Sequence, residues 1–235
     1  MSGDQDDFDL HADDYDRVCD AGLAVTGEGK AHFARERVRF LRAWWDGARR
    51  PPPRLVVDLG CGTGQATSLL ADAFPGARVL GLDASIRSVG VALSRVAGGD
   101  VSFGVARGPE HLEALGQADL VHVNGVLHHV APADRPAFAA DVRALLRPDG
   151  AAAVFDNNPW NPGTRLVMAR LPFDRDAIPL TAREARRHLR GAGLTPVLTR
   201  FLFYFPRALR RLRPLEAWLD RLPLGGQYVV VCTVA

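Results

Sequence analysis

Apolar positions along this chain follow two periods that alternate from residue 54 onward. Leu55-Val56-Val57 is a continuous apolar run, and comparable short runs stand at 77–83, 100–105 and 118–124. Between them, residues 65–74, 85–97 and 133–146 read as helices, the last with Phe138, Val142 and Leu145 at three- and four-residue steps. Short continuous runs are buried strands, and the wider spacing marks helices with one apolar face. Their alternation predicts parallel strands joined by crossover helices, an α/β doubly wound sheet whose ligands sit at the carboxyl ends of the strands.

The flanks read differently. Residues 5–23 place Phe8, Ala12, Tyr15, Cys19 and Leu23 on one helical face, and Thr26-Gly27-Glu28-Gly29 breaks the pattern. A second helix from about Ala31 to Ala48 carries Phe33, Val38, Leu41 and Trp45 on or near one face, until Arg49-Arg50-Pro51-Pro52-Pro53 stops it. Residues 1–50 thus form a helical unit, either a lid over a ligand or a plain cover on the sheet, and residues 51–235 form the core. Beyond a fifth strand, Ala151 to Phe155, Thr181 and Glu184 have capping-box spacing for a helix that ends at Gly191-Ala192-Gly193. Strands at Thr195 to Phe205 and Gln227 to Val234 follow.

Composition narrows the class. At 235 residues the chain is long enough for one sizeable core, and its 47% hydrophobic and 24% charged content is ordinary for a globular protein. A net charge of +2 is too small to argue for a nucleic-acid partner. Lys30 is the only lysine, and with the abundant alanine this reads as compositional bias. Cys19, Cys61 and Cys232 lack metal-ligand spacing, which points to a reducing, cytoplasmic location. The acidic start is unlike a signal peptide, and no apolar run approaches the ~18 residues of a membrane span.

The chemistry concentrates in Val56-Val57-Asp58-Leu59-Gly60-Cys61-Gly62-Thr63-Gly64. Three glycines at alternate positions after a strand form a ligand seat, because glycine tolerates positive φ and lets a ligand approach bare backbone. The spacing is not G-x-G-x-x-G, and Asp58 would repel a pyrophosphate while favouring an ammonium or sulfonium.

This stretch resembles motif I of the class I S-adenosylmethionine (SAM)-dependent methyltransferases. Asp83 in Val79-Leu80-Gly81-Leu82-Asp83 resembles their second motif, and Ala118 to Val130 and Leu146-Arg147-Pro148-Asp149-Gly150 resemble their strand-four and strand-five signatures. The resemblance implies a mostly parallel seven-stranded sheet of order 3-2-1-4-5-7-6, with SAM as cofactor and S-adenosylhomocysteine as product. It implies cofactor contacts at Tyr15, Asp58, Gly60, Cys61, Gly62, Gly64, Gln65, Asp83, Ala84, Ser85, Asn124 and Gly125, with Asp83 on the ribose. Where relatives often carry an adenine-reading Asp after strand three, this chain has Arg107, a donor-only side chain.

On the acceptor side, His128 or His129 is the candidate general base, with His11 as a further candidate in the leader, and each has a structural reading beside the catalytic one. Asn157, Asn158, Trp160 and Arg165 border a small-molecule acceptor within insertions at 157–180 and 206–226. No metal is expected: Asp156-Asn157 resembles the magnesium ligands of catechol-type enzymes, but their other acid has no counterpart at Asn124-Gly125, and adjacent histidines diverge on a regular element. Residues 206–222 set arginines against leucines, which either rest on an anionic membrane or pack the leucines on the sheet. The implied activity is methyl transfer to an oxygen of a secondary metabolite or a glycan- or lipid-type acceptor. A SAM-binding protein promoting cyclisation or rearrangement is the alternative.

Overall fold

The structure, a computed structural model, describes residues 14–96, 98–106, 108, 110, 112, 115 and 117–234. Its strands are β1 (Leu55–Leu59), β2 (Arg78–Asp83), β3 (Val101–Val105), β4 (Ala118–Asn124), β5 (Leu146–Asn157), β6 (Leu194–Leu202) and β7 (Gln227–Val234). They form one sheet of order β3-β2-β1-β4-β5-β7-β6, as expected. β7 runs antiparallel to β5 and β6, and the other pairs are parallel. The helices used below are α1 (Tyr15–Leu23), α2 (Lys30–Gly47), α3 (Gln65–Ala73), α4 (Ile86–Arg95), α5 (Arg135–Ala144), α6 (Pro162–Met168), α7 (Ala182–Gly191) and α8 (Glu216–Leu219).

Because side chains alternate across a strand, the central strands feed two cores. Val57, Val121, Val154 and Val230 pack with Ala139 and Val142 of α5 and Ala185 and Leu189 of α7. Val56, Leu120, Phe155 and Val229 pack on the other face with Val38, Leu41 and Trp45 of α2 and Leu70 of α3. Helix α2 therefore covers this face of the sheet with its apolar side. Thr181 and Glu184 close the predicted capping box on α7, each side chain accepting from the other's backbone N–H.

Three expectations are corrected. β5 starts at Leu146, before the expected turn at 147–150, because the left-handed Asp149 (φ 65°) and a register shift against β4 absorb the extra residues within the strand. β6 stops at Leu202 because Phe203 (φ 65°) turns the chain out of the sheet. The segment 206–226 does not pack its leucines on the sheet: Leu209, Leu212, Leu215 and Trp218 are 47%, 41%, 50% and 86% exposed. The segment forms a 3-10 helix (Arg207–Leu215), kinked at Leu209 and containing Pro214, followed by α8, and it is held by polar contacts such as Arg213 to Glu28. Among the described residues no helix is long and apolar enough to cross a membrane.

Asp119 fixes the start of β1 against β4. It is 5% exposed, and one carboxylate oxygen accepts from the N–H groups of Arg54 and Leu55 at 2.7 and 2.9 Å. Asp119→Ala strands both donors, so denaturant unfolding is expected to show a loss of about 2–6 kcal/mol, from ~1–3 kcal/mol per buried unsatisfied group. A loss below ~0.5 kcal/mol would mean that water replaces the carboxylate.

Candidate functional site

The carboxyl ends of β1, β2, β4 and β5 share one edge, and the glycine loop after β1 lies across it. The loop doubles back on β2: Gly60 and Cys61 N–H groups donate to Leu82 O at 2.7 and 3.1 Å, and Gly62 N–H donates to Asp83 Oδ2 at 2.8 Å. Gly60, Gly62 and Gly64 take φ values of 80°, 52° and 82°, where an L side chain is strained. At Gly60 a Cβ would also lie 2.3 Å from Val126 Cγ2, so the glycine lets the loops after β1 and β4 meet. Gly125 (φ 68°) turns the chain out of β4.

Asp83 accepts from Gly62 N–H with one oxygen and from Ser85 N–H at 2.9 Å with the other, and it is partly exposed at the edge. Burial pushes its carboxyl up, while these backbone donors pull it back. Ser85 serves as the N-cap of α4, its hydroxyl accepting from Ser88 N–H at 3.0 Å, and Ala84 is half-buried between the two. Gln65 Oε1 and Asn124 Oδ1 are buried side-chain oxygens without a hydrogen-bond partner among the described residues.

Asp58 departs from its expected role. It is 1% exposed, with Oδ1 2.7 Å from His122 Nδ1 and Oδ2 accepting from Thr67 Oγ1 at 2.7 Å. Its carboxylate ties β1 to β4 and α3 inside the core. Cys61 is also turned inward: its thiol packs toward Gly81 of β2, and burial raises its pKa. His11 and Arg107 lie outside the described residues.

The leader is pinned onto the loop. Asp16 of α1 pairs with Lys30 of α2 and Arg95 of α4, and Thr63 Oγ1 donates to it at 3.2 Å. Lys30 Nζ also stands 4.6 Å from the centre of the Tyr15 ring. Tyr15 lies against Phe173 with ring centroids 4.9 Å apart, and Cys19, Leu171 and Phe173 form a small core joining α1 to the insertion after β5. Burial drives the Tyr15 hydroxyl well above the usual tyrosine range, so it stays protonated.

Arg37 of α2 is 6% exposed and bonds Gln227 Oε1 at 2.9 Å, whose amide in turn donates to Asn157 Oδ1 at 3.0 Å. Burial pulls its guanidinium down to about 10, partly offset by Tyr15 and Asp58 nearby. Among the described residues it pairs with no carboxylate, leaving a cation at the edge with donors to spare. Sequence reasoning missed both Arg37 and Lys30. Their signals were an arginine inside the apolar stripe Phe33, Leu41, Trp45 and a single lysine among arginines.

The two histidines sit on a turn after β4 and not on a regular element, so their rings converge, with centroids 4.1 Å apart. His128 Nδ1 lies 2.5 Å from Asp156 Oδ1, and the Nε2 atoms of His128 and His129 lie 3.7 and 3.3 Å from Asp174 Oδ1. Burial alone would lower the His128 pKa, but the Asp156 and Asp174 carboxylates outweigh it and push it up to about 10. Free His128 is therefore protonated at neutral pH, which does not suit a general base. Asp156 stands behind His128, and Asn157 Oδ1 accepts from the Gln227 amide.

The expected acceptor residues divide. Asn158 is 2% exposed, and its amide donates to the carbonyls of Pro223 and Gly225, so it anchors the 206–226 segment and offers no donor to a substrate. Asn158 and Trp160 line a cleft of about 450 Å³ beside the edge strand β6. Arg165 lines another of about 450 Å³, with Arg170, Asp174 and Arg175. This second cleft shares Asp174 with the histidine cluster.

Residues 56–150 match the family described as Methyltransferase domain (Methyltransf_25). The chain is 39% identical over 105 residues to an uncharacterized methyltransferase of Synechocystis, covering 45% of this chain and 48% of that one. It is 38% identical over 194 residues to a trans-aconitate 2-methyltransferase of Deinococcus radiodurans, covering 77% of this chain and 64% of that one. The chain thus spans about half to two thirds of the length of these two curated relatives. A SAM-dependent methyltransferase from Archaeoglobus fulgidus shares the fold, with a TM-score of 0.65 at 16% identity over 87% of this chain and 95% of that one. A TehB-like methyltransferase from Corynebacterium glutamicum does too, at 0.63 and 17% over 96% and 99%. Residues 56–150 thus resemble a methyltransferase domain, and the sheet has the seven-stranded, Rossmann-like order shared with these SAM-dependent methyltransferase structures.

Gly60→Ala tests the loop. The left-handed φ and the Val126 contact together are expected to lower stability by about 1–3 kcal/mol in thermal or denaturant unfolding. Wild-type stability would mean that the loop relaxes without the β1–β4 contact.

Proposed function

We propose that the protein transfers a methyl group from SAM to a carboxylate oxygen of a small polycarboxylate acceptor. The observation that carries the first half is the set of groups converging at one sheet edge: Asp83, the backbone of the glycine loop, and the partnerless oxygens of Gln65 and Asn124. Buried oxygens without partners are costly unless a ligand donates to them. An adenosine with an α-ammonium supplies such donors. Asp83, already oriented by Gly62 and Ser85, keeps lone pairs for a ribose diol. Arg37 fits a carboxylate at the same edge, since it is buried and lacks an anionic partner among the described residues.

Bound there, SAM supplies an activated methyl on a sulfonium, so the protein's task is chiefly to orient the acceptor and keep water out. Orientation is worth roughly 7–11 kcal/mol of barrier. A carboxylate acceptor is already ionised at neutral pH and needs no general base. With such an acceptor neither His128 nor His129 has to serve as the base. The arginine-lined cleft at Arg165, Arg170 and Arg175 supports a polyanionic acceptor. So does the relatives' activity on trans-aconitate, a tricarboxylate. The relatives are named methyltransferases, and no observation favours a transfer-free rearrangement.

Two measurements test this. In calorimetry with S-adenosylhomocysteine, Asp83→Ala is expected to weaken binding about 10- to 100-fold, the equivalent of ~1.5–3 kcal/mol for hydrogen bonds to a charged group; unchanged affinity would contradict the ribose assignment. In a labelled-methyl assay, Arg170→Gln/Arg175→Gln is expected to raise KM for trans-aconitate or a similar polycarboxylate at least about tenfold with kcat little changed. Wild-type turnover confined to neutral acceptors would overturn the acceptor class.

A further inference from the structure

The turn after β4 and the 3-10 turn Pro172–Asp174 come from distant parts of the chain, yet they aim three ligand-type side chains at one point. One atom each of His128, His129 and Asp174 lies within 4.8 Å of the other two. We propose that these three residues bind a first-row divalent transition-metal ion, with Asp156 positioning His128 from behind.

The distances suit such an ion. Donor atoms about 2.0–2.1 Å from a tetrahedral zinc lie ~3.4 Å apart. His129 Nε2 and Asp174 Oδ1 are 3.3 Å apart and His128 Nε2 and Asp174 Oδ1 3.7 Å, and all three donors lie within 4.8 Å of one another, so closure on one ion requires side-chain rotation that brings the two imidazoles together. The orientation of His128 points the same way. Its Nδ1 is held by Asp156 Oδ1, which leaves Nε2 facing Asp174 as the metal-facing atom. A carboxylate behind a ligating imidazole fixes its tautomer and raises its basicity. Asp156 itself is held by the N–H groups of His128 and Asn157.

Charge supplies a second argument. Asp156 and Asp174 are 0% and 8% exposed, and among the described residues neither forms an ion pair with an arginine or lysine. Two buried carboxylates facing two imidazoles are balanced either by protons on the rings or by one divalent cation with both rings neutral. Mixed imidazole and carboxylate donors favour zinc, iron, cobalt or nickel, whereas magnesium and calcium prefer an all-oxygen shell. Three protein ligands leave a coordination position open, and Asp174 also borders the arginine-lined cleft. The signal was hidden in sequence because 45 residues separate His129 from Asp174.

The test uses the untagged full chain, stripped with EDTA, dialysed against Zn²⁺ or Co²⁺ and read by elemental analysis and by the visible spectrum of bound Co²⁺. It needs no methyl donor or acceptor, so its failure is distinct from failure of the methyl-transfer reading. The expected result is one ion per chain, with affinity reduced at least about tenfold in His129→Gln and in Asp174→Asn and about 10- to 100-fold in Asp156→Asn. Circular dichroism checks that each variant folds, and His129→Gln, at the least buried of the three positions, guards against loss of fold. Metal uptake by the wild type no greater than by His128→Gln/His129→Gln, with no Co²⁺ absorption, would overturn the proposal and leave a proton-bridged histidine pair.

Discussion

The hydrogen bond from Gly62 N–H to Asp83 Oδ2 is the constraint on which the site depends. Three left-handed glycines can fold in many ways, so the loop needs an external anchor to acquire one shape. The end of β2 supplies it twice, through the Leu82 carbonyl and the Asp83 side chain. The same carboxylate orients Ser85, which caps α4, so loop, strand end and helix start move as one unit. Asp58, Thr67 and His122 repeat this logic in the core below, binding β1, β4 and α3 under the loop. A rigid seat of this kind lets a ligand bind without ordering the backbone first.

The site divides its charge. Around the leader, Lys30, Arg37 and Arg95 surround Asp16 and Tyr15. On the other side of the edge, Asp156 and Asp174 enclose the histidine pair. Helix α1 joins these halves, meeting the glycine loop through Asp16 and the insertion through Tyr15 and Cys19. The leader therefore contacts both the proposed donor seat and the insertion beside the proposed acceptor cleft. Helix α2, by contrast, packs its apolar face into the core.

What the sequence made legible follows from locality. Strand positions, helix positions and the capping box at Thr181 depend on neighbours within a few residues, and they agree with the structure apart from the ends of β5 and β6. The glycine loop and Asp83 were legible for the same reason, since a strand-to-turn motif is local. Side-chain direction was not. Asp58 reads as a ligand group until His122 and Thr67 are seen to claim it, and Asn158 reads as a substrate contact until Pro223 and Gly225 are seen behind it. The leucines after Pro206 are exposed although their spacing is amphipathic, because the segment folds as a kinked 3-10 helix and not as a regular α-helix. The histidine pair was misjudged by a rule for regular elements applied to a turn.

The central claim is that the loop between β1 and α3, anchored by Asp83 and covered by α1, is the seat of SAM. Amide hydrogen exchange with and without S-adenosylhomocysteine reads that seat directly. Slowed exchange is predicted at residues 60–64 and 83–85 and in α1, with residues 206–226 unchanged. Exchange unaltered across the loop and α1 at saturating ligand would contradict it.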